Sequence, residues 1–383
     1  MRNIELLIEK NQSNSRDKKF RKYSVRKNGQ LHYQIKTEMF SDKYVLEMIQ
    51  YISWVSREYK SSKIPIIIHI GKTSFSDKLV YILMECICYY MLNIRKQRIY
   101  IFFQTEDDIW SGGIYYSPLK YHINKQQFNK YFEYDLSTLH FRKVIRAENC
   151  LSSDFLSKKT EDIFFFLRNV GINEEYCLSL REVIAELIGN ALEHSHSDCL
   201  FDIDITDRNF VRKSGEDGYF GLNLAIVSFS ETLFFEPLKE RFERVASLPD
   251  ERYVGVAKAR EYHTSHFNND YNVNKFYTIS SFQHGISGRE DKGESGGRGL
   301  TTLIQSLADM ATDHCCYLLS GQETVFFLEK TLQRNNDGWI GFNEKHDYLT
   351  SIPDSEILCN TKTFMPGTAY NLNFAIRRRD RDE

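Results

Sequence analysis

One segment, from Glu174 to Ser195, constrains this chain more than any other part of its sequence. Its apolar residues recur at helical spacing and cover one continuous face, formed by Val183, Ile184, Leu187, Ile188 and Ala191. The polar residues Glu182, Glu186, Asn190 and Glu193 form a narrow stripe on roughly the opposite side. An amide oxygen can ligand Mg²⁺, and a carboxylate one turn away can orient or deprotonate water. The segment therefore predicts a helix with one buried face, whose stripe is either a magnesium site or a solvated surface.

A second segment concentrates glycine. Six of the 20 glycines lie within fifteen residues, at positions 285, 288, 293, 296, 297 and 299, and a periodic helical pattern begins directly afterwards at Leu300. A flexible loop that enters a helix N-terminus offers unpaired N–H groups and the positive end of the helix dipole to phosphates. Arg298 would add a fixed positive charge. The alternative is a mobile surface loop before an ordinary helix.

Together these segments resemble the GHKL superfamily of ATP-binding domains, which includes gyrase, heat-shock chaperones, sensor histidine kinases and mismatch-repair proteins. The resemblance covers roughly residues 150–376. It is carried by an N-box, by a phenylalanine motif with a second glycine box, and by a Gly-Thr pair before the last strand. In this sequence the three are Glu186-x-x-x-Asn190-Ala191-x-x-His194-Ser195, then Phe282-x-x-Gly285-x-Ser287 followed by Gly296-Gly297-Arg298-Gly299-Leu300, and Gly367-Thr368.

The resemblance implies that the chain binds ATP and Mg²⁺. Asn190 would ligand the metal, Glu186 would be the general base for water, and His194 would lie near the phosphates or ribose. The loop from Gly296 to Leu300 would wrap the triphosphate. Further nucleotide-binding positions carried over from the motifs are Phe282, Gly285 and Thr368. The stretch from about 237 to 295 would be a lid that orders when nucleotide binds.

One motif of this family is altered. Its first glycine box has an Asp that accepts the adenine amino proton, followed by two glycines. Here Ser228 occupies the Asp position, and Ser230 and Thr232 stand where the glycines are expected. A serine hydroxyl can accept that hydrogen bond, but a neutral acceptor is weaker than a carboxylate. Adenine recognition is therefore expected to be weakened, altered or lost.

The first half of the chain has a different pattern. Residues 64–70 and 98–103 read as buried strands, and Ser76 to Leu92 reads as the helix between them, which is a βαβ unit. The Gly71-Lys72-Thr73 sequence lacks the earlier glycine of a P-loop, because Ile66 stands there. The fold class predicted is α+β: a small, loosely STAS-like α/β domain before a GHKL-type sandwich with a mixed sheet covered by helices. The domain boundaries predicted are 1–30 (basic segment), 31–148, 149–376 and 377–383 (charged tail).

Composition limits the setting and the partners. The formal charge is −2, no CxxC pair occurs among eight cysteines, and no apolar run is long enough to span a membrane. A reduced, cytoplasmic protein without a membrane segment is the simplest expectation. The first 30 residues hold nine Lys/Arg against three Asp/Glu, and a nucleic-acid partner rests on this segment alone. The histidines at 194 and 196, beside Asp198 and Cys199, lack a second cluster at ligand spacing, so an N-box is favoured over a metal site there.

Three functions follow from these patterns. The first is an Mg²⁺-ATP-binding switch that hydrolyses slowly and acts through a protein partner or a second subunit. The second is a protein serine kinase of the anti-sigma type, whose N-box has the same form. The third is a non-catalytic interaction protein that kept the fold. An orthodox histidine kinase is disfavoured, because His140 lacks the context of a phosphoacceptor.

Overall fold

The computed structural model describes residues 1–60, 63–105, 112–121, 124–149, 155–195, 197–210, 219–244, 251–287, 303 and 316–377. The helices are α1 (Glu5–Glu9), α2 (Asp17–Tyr23), α3 (Asp42–Glu58), α4 (Lys78–Tyr89), α5 (Lys125–Glu133), α6 (Phe155–Val170), α7 (Glu174–Ser195), α8 (Glu236–Arg244), α9 (Glu251–Thr264) and α10 (Val273–Ser280). The strands are β1 (Val25–Lys27), β2 (Gln30–Gln34), β3 (Met39–Phe40), β4 (Ile66–Lys72), β5 (Ser74–Phe75), β6 (Ile99–Gln104), β7 (Tyr134–Leu136), β8 (His140–Ile145), β9 (Cys199–Phe210), β10 (Tyr219–Ser228), β11 (Tyr317–Phe326) and β12 (Leu358–Arg377).

The first half contains a four-stranded sheet in the order β1-β2-β4-β6. Strands β2, β4 and β6 are parallel, and β1 joins β2 as an antiparallel edge. The βαβ unit predicted from the sequence is confirmed, with α4 as its crossover helix. Asp77 caps that helix, because its carboxylate accepts a hydrogen bond from the Val80 N–H at 3.1 Å.

The second half contains a six-stranded sheet in the order β11-β12-β10-β9-β8-β7. Every pairing in it is antiparallel, so the mixed sheet expected there is wrong. Strands that follow one another closely along the chain, such as β7 and β8, return in the opposite direction and pair as antiparallel neighbours. Strands β7 and β8 belong to this sheet although they precede the boundary expected near residue 148.

Both faces of the six-stranded sheet are buried. One face packs against α6 to α10, with β10 contributing Leu222, Leu224 and Ile226 to that core. The alternate β10 residues Ala225 and Val227 point to the other face and join the core of the first half of the chain. The molecule is therefore layered, and α3 and α4 lie between its two large sheets.

The composition of helix α4 is consistent with its position between the two sheets. All twelve residues from Lys78 to Tyr89 are buried, which is typical of a helix covered on every side. Most are apolar, but Lys78 and Glu85 bring two charges into the layer between the sheets. None of the described helices combines the length and apolar character that a bilayer crossing requires.

Candidate functional site

Helix α7 has the bounds predicted from its periodicity, Glu174–Ser195. The five residues of the predicted apolar face are all buried in the core of the second half. Along the opposite stripe, Glu182 is exposed, whereas Glu186 and Asn190 are half-buried. The stripe therefore enters the molecule as the helix proceeds, and its Glu and Asn lie at a boundary between core and solvent.

Two strand ends and the middle of a third strand form a row beside this helix layer: Cys199 begins β9, Ser228 ends β10, and Thr368 lies midway along β12. Ser228, the last residue of β10, pairs with Cys199 on β9 and with Thr368 on β12. Side chains two residues apart on a strand share a face. Ile226 and Tyr370 both face the helix layer, so Ser228 and Thr368 face it too. The structure thus brings Ser228, the position predicted to contact adenine, and Thr368, a further predicted nucleotide-binding position, together on the face that carries α7.

Gly367 permits the close approach of these strands. Its φ is +81°, and a Cβ built there would lie 2.5 Å from the backbone oxygen of Ser228. A side chain at this position would both strain the backbone and displace the neighbouring strand. The glycine of the Gly-Thr pair is therefore required by the approach of the two strands.

Tyr370 connects the sheet to the stripe of α7. Its ring is buried two residues beyond Thr368, and its pKa is raised, first by burial and then by the negative charge of Glu186. Helix α7 packs against β12, and this brings Glu186 within electrostatic range of Tyr370.

The altered first glycine box is a packed turn. Ser230 is buried, and its hydroxyl accepts a hydrogen bond from the Thr232 N–H at 3.1 Å. The hydroxyl of Ser197 donates to the backbone oxygen of Phe229, whose ring belongs to the core of the first half. At the first expected glycine position, the Ser230 hydroxyl thus caps the turn by accepting from the backbone of Thr232, which occupies the second position.

The phenylalanine motif lies behind the row beside the helix layer. Phe282 is fully buried, with ring centroids at 5.1 Å from Phe234, 5.4 Å from Phe327 and 5.8 Å from Phe342. Gly285 follows in a turn with φ +74°. Phe282 is a core residue in this conformation, and it anchors the chain that leads toward the glycine-rich segment.

Ser287 is the last described residue before that segment, and it is held firmly. Its backbone oxygen accepts hydrogen bonds from Arg241 at 2.7 Å and from the Tyr253 hydroxyl at 2.8 Å. Four predicted glycine-box residues and the helix start (Gly296, Gly297, Arg298, Gly299 and Leu300) lie outside the described residues. His194 belongs to the last turn of α7, but its side chain also lies outside the described part.

The single long lid expected over 237–295 is wrong in its extent. Helices α8, α9 and α10 occupy much of this stretch and contribute buried residues such as Leu238, Val256 and Phe276 to the core. The turn at Asn268 is also ordered, because its side-chain oxygen accepts hydrogen bonds from the N–H groups of Asp270 and Tyr271. The polar composition of this stretch reflects amphipathic helices with one buried stripe.

A second polar site, which sequence reasoning missed, lies on the opposite face of the same sheet. Charged side chains from α4, β8 and β9 meet there in what we call the ion-pair cluster: Lys78, Glu85, His140, Arg142, Asp202 and Asp204. All six are buried. The available signal was alternation, because β8 and β9 place these polar residues at every second position between apolar ones.

The cluster links helix to sheet through specific contacts. Arg142 pairs with Glu85 at 2.8 Å and also with Asp202. Lys78 pairs with both Asp202 and Asp204, and the Tyr81 hydroxyl donates to Asp204 at 3.2 Å. Three carboxylates thus face three cationic side chains, so the buried charges balance when His140 is protonated.

The pKa shifts of His140 and Asp202 agree with this balance, whereas the shift of Glu85 opposes it. Burial opposes a charge on His140, but the Asp202 carboxylate and hydrogen bonds to Asp135 and Asp202 raise its pKa to about 9. At Glu85, burial and the nearby Asp202 carboxylate outweigh the neighbouring cations and raise the pKa to about 7. Burial also opposes the Asp202 charge, yet Arg142, Lys78 and His140 hold the pKa of that carboxyl well below its usual range.

Ion pairs occupy the carboxylates at two places where a metal could be expected, namely the ion-pair cluster and Asp198 beside Cys199. His140, Asp202 and Asp204 present ligand atoms within 4.8 Å of one another, the only such group of three in the described residues. However, Lys78 and Arg142 already neutralise both carboxylates, so the cluster is better explained as a set of ion pairs. Asp198 is engaged too, because it binds Arg146 at 2.9 Å and accepts from the Ala147 N–H at 3.1 Å.

Comparison of this chain with protein-family models, with curated proteins and with solved structures finds no match.

Proposed function

We propose that residues 149–376 bind Mg²⁺-ATP at the end of the six-stranded sheet and work as a slowly hydrolysing conformational switch of the GHKL type. The observation that supports this is the cross-strand pairing of Ser228 with Thr368, on the face that also carries α7. Positions assigned by two separate motifs thus meet in space, although 140 residues separate them in the chain.

The side chains present at this site suit a nucleotide. The Ser228 hydroxyl can accept a hydrogen bond from the adenine amino group, and Thr368 can donate or accept beside it. The Asn190 amide oxygen is a suitable Mg²⁺ ligand, and the Glu186 carboxylate one turn away can accept a proton from water. Bound Mg²⁺ would neutralise phosphate charge and polarise the terminal phosphoryl group.

A route for the output of the switch runs through β9. This strand begins four residues after α7 ends, and its first residue, Cys199, pairs with Ser228. Asp202 and Asp204, a few residues on, hold Lys78 of α4 in the ion-pair cluster. A movement of the nucleotide site would therefore be transmitted by one short strand to the first half of the chain, or to a partner or second subunit bound there.

Isothermal titration calorimetry with ATP, ADP and GTP, with and without Mg²⁺, tests the proposal. We expect the protein to bind ATP in a Mg²⁺-dependent manner. Asn190→Ala should weaken this binding at least tenfold and remove most of its dependence on Mg²⁺. Glu186→Gln should retain binding but lower the hydrolysis rate at least a hundredfold. The matched control is Glu182→Gln, one turn earlier on the same stripe and exposed, which should change neither measurement.

Failure of the folded protein to bind any of these nucleotides would refute the proposal. Ser228→Asp sharpens it, because restoring a charged acceptor should tighten ATP binding about tenfold relative to GTP. No gain in preference for adenine would mean that Ser228 does not contact the base.

The alternatives predict different products from the same sample. A protein serine kinase of the anti-sigma type would transfer label from γ-labelled ATP to a partner protein, whereas a switch would release it as phosphate. The packed serine turn at Ser230 and Thr232 favours the third possibility, a non-catalytic interaction protein. In that case nucleotide turnover would be absent, and Glu186→Gln would leave cellular function unchanged.

A further inference from the structure

A cavity of about 400 Å³ opens between four segments of the second half of the chain. Its walls are the turn after β10, the loop before α10, the middle of β11 and the first residues of β12. Five of the residues that line it carry amide side chains: Asn269, Asn272, Asn274, Gln322 and Asn360. Pockets of this volume hold small molecules. The described residues that line it include none of those predicted to bind nucleotide, so this is a second candidate site.

A β-bulge lies beside the cavity. The pairing between β11 and β12 shifts in register on both sides of Gly321. Gly321 has φ +60°, and a Cβ built there would lie 3.1 Å from Cδ1 of Leu233. A bulge bends its strand and re-aims the side chains next to it. Because β11 is an edge strand, it can bend here without disturbing the rest of the sheet, and the bend makes one wall of the cavity.

That wall contains a buried carboxylate with few donors. Glu323 is only 9% exposed and is the one charged residue among the described residues that line the cavity. The Thr278 hydroxyl lies 3.3 Å from its Oε2, but the same hydroxyl also donates to the Asn274 backbone oxygen at 3.0 Å. Within the described part of the chain, the carboxylate accepts no other hydrogen bond. A ligand that donates to Glu323 would therefore supply what the fold does not.

Lys275 offsets the charge of Glu323 from a distance. Its ammonium donates to the backbone oxygens of Asp270 at 2.5 Å and Leu358 at 3.3 Å. Burial raises the pKa of Glu323 to about 6, and the charge of Lys275 opposes this shift. Glu323 is therefore ionised at neutral pH and can only accept hydrogen bonds. With one buried cation near one buried anion, the cavity favours a ligand that brings donors but no further charge.

The loop before α10 presents amide donors in a fixed orientation. Asn272 caps this helix, because its Oδ1 accepts hydrogen bonds from the N–H groups of Asn274 at 2.9 Å and Lys275 at 3.1 Å. Oδ1 of Asn274 accepts from the Lys239 ammonium at 3.4 Å. Since both oxygens are engaged, the NH₂ groups of the two amides are left to donate. The cavity thus has donors on one wall and an acceptor on another.

We propose that this cavity binds an uncharged sugar. A hydroxyl both donates and accepts, so one sugar hydroxyl donates to Glu323 while a neighbouring one accepts from Asn272 or Asn274. Asn360 is the direct cross-strand partner of Glu323, so the two side chains lie on the same face of the sheet. Its amide can both donate and accept, which suits a second pair of hydroxyls.

The remainder of the wall suits the less polar side of a sugar ring. The C–H face of the ring would pack on the apolar residues of the cavity, which are Leu233, Phe235 and Phe364. A phosphorylated or acidic sugar would bring a second anion beside Glu323, which costs free energy in a buried site. The cavity therefore selects neutral sugars over their charged derivatives.

Saturation-transfer NMR of the full chain tests the proposal. The probes are glucose, galactose, mannose, N-acetylglucosamine and maltose, each at up to about 10 mM, because a small sugar is expected to bind in the millimolar range or somewhat tighter. At least one sugar should show saturation of its ring C–H protons. Its phosphorylated form should bind at least tenfold more weakly. The samples contain no nucleotide, so the result is independent of the candidate nucleotide site.

Two substitutions assign the binding to the cavity. Glu323→Gln should weaken it about tenfold, because a neutral acceptor replaces a charged one. Asn360→Ala should weaken it by a similar factor, and since this side chain is exposed, the variant decides the matter even if Glu323→Gln fails to fold. The matched controls are Glu329→Gln and Asn336→Ala, which are exposed and lie away from the cavity wall, and neither should change binding.

Three results would overturn the proposal: no saturation of any of the five sugars by folded protein, unchanged sugar affinity in Asn360→Ala, or an equal loss in the control variants. Guanosine, measured in the same way, addresses a competing occupant. If guanosine bound and no sugar did, and Asn360→Ala abolished that binding, the cavity would be assigned to a nucleobase instead.

Discussion

The two large sheets of this protein are covered in opposite ways. The six-stranded sheet is buried on both faces, by helices on one side and by the first half of the chain on the other. The four-stranded sheet is buried on one face only and leaves a ladder of rings on the other. In the first sheet polar residues must therefore find partners within the protein, whereas in the second some of them, such as His32 and His69, stay partly exposed to water.

The two sheets therefore hold their polar groups in different places. On the fully buried sheet, polar groups gather at the paired residues Ser228 and Thr368, and in the ion-pair cluster on the opposite face. One strand, β9, contributes to both places. On the four-stranded sheet, the rings of His32, His69 and Phe102 lie across the less buried face. Four substitutions or titrations separate these situations.

The largest effect is expected when one partner of the ion-pair cluster is removed. Arg142→Met leaves Glu85 and Asp202 buried without their main partner, which should lower the free energy of unfolding by about 3–5 kcal/mol. Urea denaturation measures this. The control is Arg244→Met, which breaks an exposed pair with Glu240 and should cost less than about 1 kcal/mol. A loss below about 1 kcal/mol for Arg142→Met would mean that the cluster is not sealed from water.

Titration of the same cluster should produce the next effect. The pKa of His140 is raised to about 9 in the folded protein from an ordinary value near 6.5, so folding favours its protonated form. Its stabilising contribution is fully present below pH 6.5 and is lost as the pH rises through 9, on the order of 3 kcal/mol. Glu85, with a pKa raised to about 7, acts in the same direction at lower pH.

Urea denaturation at intervals from pH 6 to 9.5 tests this, with His140→Gln as the reference. Wild type should lose stability over this range and the variant should lose much less. Parallel curves for the two proteins would show that His140 is not charged in the folded state.

The sequence predicted the helices and strands of this molecule better than it predicted their partners. Helix α7 and the βαβ unit were recognisable because periodicity is a local property, repeated within a few residues. The cluster was not, because His140 and Asp202 lie 62 residues apart and Lys78 and Asp204 lie 126 apart. Alternating polar residues on β8 and β9 look like a solvated face until another part of the chain is known to cover them.

For the candidate nucleotide site, the resemblance to a known family predicted more residues than periodicity and composition could. Family resemblance assigned Ser228 and Thr368 separately to nucleotide binding, and the strand register pairs them. The same resemblance did not predict that Phe282 packs among three other phenylalanines, or that α8 to α10 fill much of the expected lid. Those features depend on how amphipathic helices share one core, which no short motif records.

The substitution Gly367→Ala tests the close approach of β12 to the end of β10. The positive φ costs about 1–2 kcal/mol for an L-residue, and the clash with the Ser228 backbone adds about 1–3 kcal/mol. Gly29→Ala is a matched control, since its φ is +73° but no atom lies within 4 Å of the added Cβ, and it should show only the first cost. Thermal unfolding compares the two. Equal losses would mean that the strand ends can separate without cost.

The smallest change in the free energy of unfolding is expected at Phe102, on the less buried face of the four-stranded sheet. Phe102→Ala should lower the free energy of unfolding by about 1 kcal/mol or less, because much of its ring is already in water. Phe201→Ala, at a fully buried ring of the six-stranded sheet, should cost about 3–5 kcal/mol. Urea denaturation of both variants measures the contrast. If Phe102→Ala were as costly as Phe201→Ala, the ladder would be part of a core.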